Sequence, residues 1–172
     1  VSRTAAGEAL TGLILEVFRV NGDLISAGDR IAGEFGQSSA RWQVLGAIED
    51  EPKTVPAIAR QMGLTRQAVQ RTVDVLAGER IVEYVDNPAH RRSRLIEMTR
   101  EGKQTYDKIS AKQVIWVNGL ASGLPSNDKD IRKALSVLRS LRIGLDHSTS
   151  EDLRGDRRHD GPAAPRRRKA RR

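Results

Sequence analysis

The sequence predicts a mainly α-helical fold with a small β-wing: a winged helix-turn-helix between N- and C-terminal dimerisation helices. Three observations predict it. Two helical patterns separated by Gly63-Leu64 fill residues 55–77, two strand-like runs flank an arginine-bearing turn at 86–94, and apolar-striped segments lie on either side of that unit.

The elements follow in order. Residues 4–33 carry Leu10, Leu13, Ile14, Val17, Leu24, Ile25 and Ile31 at helical spacing, with Gly22 and Gly28 as points where the helix can bend. Gly36-Gln37-Ser38-Ser39 breaks the pattern and offers a cap. A helix over about 39–50 puts Trp42, Leu45 and Ile48 on one face and ends at Glu51-Pro52. Residues 55–62 form a short helix that accepts Pro56 in its first turn. After Gly63, Thr65 caps a helix running to about Ala77. Beyond Gly78, residues 81–85 read as a strand, Asn87-Pro88 as a turn and 94–98 as the returning strand. A helix over 99–120, punctuated by Gly102, precedes a last one at 127–145, where Ile131, Leu135, Leu138, Leu141 and Leu145 recur at i, i+3, i+4 spacing. From Ser148 apolar residues almost vanish, and the sequence ends PRRRKARR, so residues 148–172 are expected to be a disordered basic tail after a 1–147 domain.

Composition narrows the function classes. The 172 residues include no cysteine, which removes disulfides and thiolate metal sites, and aromatic residues make up 3%. No run of 18 apolar residues suggests a membrane span, and the first residues lack the basic-then-apolar pattern of a secretory signal, so a cytoplasmic location is expected. The net charge of +8 is unevenly placed. Residues 148–172 hold nine Lys and Arg against four acids, which leaves 21 against 18 for the other 147 residues. A nucleic-acid surface on the folded part must therefore arise from local placement of charge. His90, His147 and His159 are scattered and no carboxylate cluster completes a metal site. No nucleophile–base spacing and no Gly-rich phosphate loop is visible, so neither an enzyme nor a cofactor is expected.

The helix at 65–77 carries the chemistry. Val69, Val73 and Leu76 face a core, and Arg66, Gln67, Gln70, Arg71 and Asp74 lie opposite. Such a stripe is ordinarily a solvated face. Arg and Gln are also the side chains that can bond guanine and adenine edges, and a recognition helix puts its N-terminal residues on base edges. Thr65, Arg66, Gln67 and Gln70 are thus candidates for the DNA contact, with Arg71 able to meet a base or a phosphate. The hairpin DNPAHRRSR adds Arg91, Arg92 and Arg94, placed for the minor groove or the flanking phosphates. Helix and basic hairpin together are far more specific for double-stranded DNA than either alone. Long apolar helices at both ends, which one small winged module cannot bury, point to a homodimer. Two-fold symmetry then implies a pseudo-palindromic site with half-sites about one helical turn apart.

RWQVLGAI (41–48) and IARQMGLTRQAVQRTVDVLAGERIVEYVDNPAHRRSRLIEMTREG (58–102) make the sequence resemble the multiple-antibiotic-resistance regulator (MarR) family over about 4–146. The resemblance implies a homodimer with one winged helix-turn-helix per subunit (about 55–99), dimerisation helices at about 4–33 and 103–145, and a transcription regulator, of repressor type, rather than an enzyme. It also allows a small aromatic or phenolic effector in a cavity lined by Trp42 and Trp116, although tryptophans on helix stripes ordinarily pack into a core. One departure stands out: the family's wing carries an acid just before its arginine pair, helping to orient arginine, and His90 holds that place here. The competing reading is a winged-helix module that binds protein or RNA. Against it, the exposed face has no apolar anchors of the kind a protein-binding surface needs.

Overall fold

In a computed structural model, which describes residues 2–90 and 92–155, the element order is α1 (Ala5–Gly33), α2 (Ser39–Ala47), β1 (Lys53–Thr54), α3 (Val55–Met62), α4 (Arg66–Gly78), β2 (Val82–Val85), β3 (Leu95–Met98), α5 (Arg100–Gly123) and α6 (Asp128–Gly155). Hydroxyls start four of the helices. The side chains of Thr4, Ser38, Thr54 and Thr65 accept from the backbone N–H groups of Gly7, Arg41, Ala57 and Ala68 at 3.1, 3.3, 3.4 and 3.2 Å. Each such cap satisfies a donor that the helix leaves orphaned, a contribution of about 1 kcal/mol.

The turn between α3 and α4 depends on Gly63, whose φ of 66° is left-handed and open to glycine without strain. Leu64 then returns its N–H to the carbonyl of Ala59 at 2.9 Å, and the chain leaves α3 in the direction that starts α4. At the far end of α4, Ile81 donates to the Leu76 carbonyl at 2.9 Å, turning the chain directly into β2.

The sheet has three antiparallel strands in the order β1-β3-β2. Val82 faces Met98 and Val85 faces Leu95 across the wing, while Lys53 and Thr54 pair with Ile96 and Leu95. The two-residue β1 was not expected from the sequence. It is too short to carry an alternating pattern, and its place is set by β3 and by Lys53, whose ammonium donates to the Ala47 carbonyl at 2.8 Å.

A single apolar core ties these parts together. Val44, Leu45 and Ile48 come from α2 and its C-cap, Ile58 from α3, Val69, Val73 and Leu76 from α4, and Val82 and Ile96 from the sheet. Gly102 is a close approach rather than a break in α5, since a Cβ there would overlap the Ile81 carbonyl. Thr99 secures the same junction: its N–H donates to Ile81 O at 3.1 Å, and its hydroxyl accepts from the Gly102 N–H at 3.0 Å.

The remaining expectations meet small corrections. α1 runs without interruption through Gly22 and Gly28. α2 stops at Ala47, short of 50, because Ile48 leaves helical geometry to enter the core. The described residues fall into two units, one up to Ala121 and one from Ser122. Within the second unit, α6 starts where the Asn127 side chain accepts from the Asp130 N–H at 3.1 Å. α6 continues to Gly155, so it passes through the first eight residues of the segment expected to be disordered. The rest of that basic tail, 156–172, lies outside the described residues.

Candidate nucleic-acid interface

Apolar spacing decides which side of α4 faces out. Val69, Val73 and Leu76 are buried, which turns Arg66, Gln67 and Arg71 to solvent and leaves Gln70 half-buried at the edge. Thr65 is exposed and committed to capping through its hydroxyl. The helix thus begins with a cap, an arginine and a glutamine, and its unpaired N–H groups add positive potential at that end. No acidic residue occupies this first turn.

Four side chains join α4 to the wing. The Gln70 amide nitrogen donates to Asp74 Oδ1 at 2.7 Å and to the Tyr84 hydroxyl at 2.6 Å. That hydroxyl donates in turn to Asp74 Oδ1 at 2.7 Å. On the other side of Tyr84, the Arg94 guanidinium lies 5.2 Å from the ring centroid and donates to the Tyr84 carbonyl. A cation over an aromatic face is attracted by the ring quadrupole, by about 0.5–1 kcal/mol at exposed sites. Burial of Tyr84, followed by its bond to the Asp74 carboxylate, pushes the phenol above its ordinary pKa of 10.0, so it stays a protonated donor.

The hairpin tip is organised by Asn87. Its side-chain oxygen accepts from the Ala89 and His90 N–H groups at 3.0 and 3.3 Å, and its amide donates to the Ser93 carbonyl at 2.9 Å. This is the side-chain mimicry of a turn that favours asparagine in tight loops. Arg92 stands exposed on that tip, and Arg91 lies outside the described residues.

The structure therefore separates the predicted contact residues into two groups. Thr65, Arg66, Gln67, Arg71 and Arg92 are exposed and stand on α4, its cap or the hairpin tip. Gln70, half-buried, and Arg94, itself exposed, converge on Tyr84, which the sequence alone presents as an ordinary strand residue. A signal was present. Tyr84 lies two residues from buried Val82 and so shares its inward face, where a phenol needs a polar partner.

A second feature lies within the 1–121 unit. Trp42 and Trp116, expected to pack into a core, are only half-buried. They line a cleft of about 250 Å³ with Leu24, Ile25, Ile31, Gln43 and Gln113. Along α1 no residue before Ala27 is buried, so this side of the helix gives the tryptophans little cover.

A family model described as MarR family matches residues 35–93. The uncharacterised protein Rv2011c of Mycobacterium tuberculosis is 31% identical over 140 residues, covering 78% of this chain and 98% of that protein. Among solved structures, CouR of Rhodococcus jostii RHA1, bound to p-coumaroyl-CoA, is 23% identical with a TM-score of 0.66, over 81% of this chain and 95% of that one. The M. tuberculosis transcriptional regulator MOSR, in complex with DNA, is 17% identical with a TM-score of 0.63, over 76% and 96%. At these identities the two structures establish a shared fold. Among the described residues, no helix is long and apolar enough to cross a membrane.

Proposed function

The chain belongs to the MarR family of transcription regulators, and from that premise we propose that it is a homodimeric, sequence-specific repressor. In this reading α4 lies in the major groove of double-stranded DNA and the 86–94 hairpin rests on the minor groove or the phosphates beside it. The observation that carries the reading is the joining of the exposed Arg66, Gln67 and Arg71 face to the arginine hairpin through Tyr84. Two elements that must meet one duplex together are locked in one orientation, and such preorganisation reduces the ordering cost of binding.

The homodimer is supported by apolar side chains that stay exposed among the described residues of a single chain. Leu15 and Phe18 on α1 are 53% and 70% exposed, and Ile115 on α5 is 74% exposed. A second copy would cover them and produce two reading heads. Repression follows from a compact dimer seated over its site.

The cleft beside Trp42 and Trp116 favours a small aromatic or phenolic effector that releases DNA, and the p-coumaroyl-CoA bound to CouR is consistent with ligand control on this fold. The experiment has two arms. Fluorescence anisotropy with a selected duplex should give tighter binding than with a scrambled one, and Arg66→Ala should reduce the difference by about 1–3 kcal/mol, the worth of a bidentate base contact. Titration with phenolic ligands should quench tryptophan emission and lower DNA affinity together. Equal affinity of the parent for both duplexes contradicts sequence-specific binding, and a silent titration contradicts the effector.

A further inference from the structure

We infer that Gln70 meets the base edge as a hydrogen-bond acceptor only, selecting an exocyclic amine (adenine N6 or cytosine N4) in place of the two-bond adenine contact open to an unrestrained glutamine. This rests on the reading that α4 enters the major groove. The reason lies in how the amide's hydrogens are used. A primary amide has two N–H donors and one carbonyl acceptor. Both donors of Gln70 are taken within the protein, one by Asp74 Oδ1 at 2.7 Å and one by the Tyr84 hydroxyl at 2.6 Å. Tyr84 has a single proton, and it points to Asp74 Oδ1 at 2.7 Å, so toward Gln70 the hydroxyl can only accept. The three atoms of this ring lie 2.6–2.7 Å from one another, so the two amide hydrogens, about 120° apart, reach their acceptors through bent bonds, and the hydroxyl proton goes to Asp74.

The same ring settles the orientation of the amide. Exchanging its oxygen and nitrogen would set two oxygens, neither carrying a proton, against each other at 2.7 Å beside the Asp74 carboxylate. The raised pKa of the Tyr84 phenol keeps its proton in place through the neutral range. Oε1 is left as the atom of the amide able to address DNA. In the major groove adenine and cytosine present an amine donor, whereas guanine and thymine present oxygen and nitrogen acceptors there. An acceptor flanked by the Asp74 carboxylate attracts the first pair and repels the second.

Selection from a randomised duplex library with the full chain tests this, read as base enrichment at each position. The parent should show a position where adenine and cytosine are enriched about tenfold over guanine and thymine and lie within about threefold of each other. Gln70→Ala should flatten that position while neighbouring preferences persist. Tyr84→Phe frees one amide hydrogen and should shift the position to adenine, about tenfold over cytosine. Adenine alone in the parent profile overturns the inference, as does an unchanged adenine-to-cytosine ratio in a folded Tyr84→Phe protein. Should that variant fail to fold, the parent and Gln70→Ala profiles decide the matter. A library from which the parent enriches no sequence overturns the underlying DNA reading instead, so the two failures are distinguishable.

Discussion

Two tyrosines and one glycine carry testable energetic weight in the fold. Tyr84 and Tyr106 both have phenols raised above 10.0, in each case first by burial and then by a bond to a carboxylate, Asp74 and Glu49 respectively. Tyr106 donates to Glu49 at 2.6 Å and so ties α5 to the end of α2. For a group whose pKa is higher in the folded state, the folded protein holds the proton more tightly. The stability it contributes is complete below about pH 10 and is lost as pH rises through the raised value. Melting temperature should therefore decline above about pH 10, with Lys103, also raised, acting in the same direction. The combined variant Tyr84→Phe, Tyr106→Phe should decline less steeply, and an identical slope would contradict the assignment. Gly102 is a packing constraint: with Ile81 O where its Cβ would lie, Gly102→Ala should cost about 1–3 kcal/mol in denaturant unfolding.

At the scale of elements, the sequence was most legible where hydrophobic period and punctuation agree. α3 was bounded by Val55 and by Gly63, and α4 by Thr65 and Gly78, so both appear within a residue of expectation. Their apolar residues are the buried ones. Legibility ended where partners distant in sequence decide the outcome. β1 exists because β3 is beside it, and α2 ends early because Ile48 finds the core. The site divides in the same way. Exposure of Arg66 and Gln67 follows from helical period alone, but the sharing of Tyr84 by Gln70 and Arg94 joins positions 14 and 10 residues apart through its hydroxyl on one side and its carbonyl and ring on the other. No local pattern encodes that. For the hairpin, Arg92→Ala should weaken binding to all duplexes alike and lower the salt slope by about one, as for a lost phosphate contact. Weakening confined to one sequence would instead make Arg92 a base reader.

For the whole molecule, the exposed apolar faces are the central quantity. Leu10, Leu15, Val17 and Phe18 along α1 are each more than a third exposed, and Ile131, Leu135 and Leu138 on α6 are as well. A chain with these faces in water is expected to pair, and sedimentation at micromolar concentration should give twice 19.0 kDa. Phe18→Asp, which leaves the winged core untouched, should shift the protein toward the single-chain mass and weaken binding to a two-half-site duplex much more than to one half-site. Loss of the second copy removes the gain from linked reading heads.

The most direct test of the central claim, that α4 and the arginine hairpin read double-stranded DNA together, is sequence selection by the purified full chain compared with its Arg66→Ala, Gln67→Ala variant. The parent should enrich a pseudo-palindrome with half-sites about one helical turn apart, and the variant should lose base preference within each half-site while retaining salt-dependent affinity. Enrichment of the same sequence to the same degree by both proteins would contradict the claim.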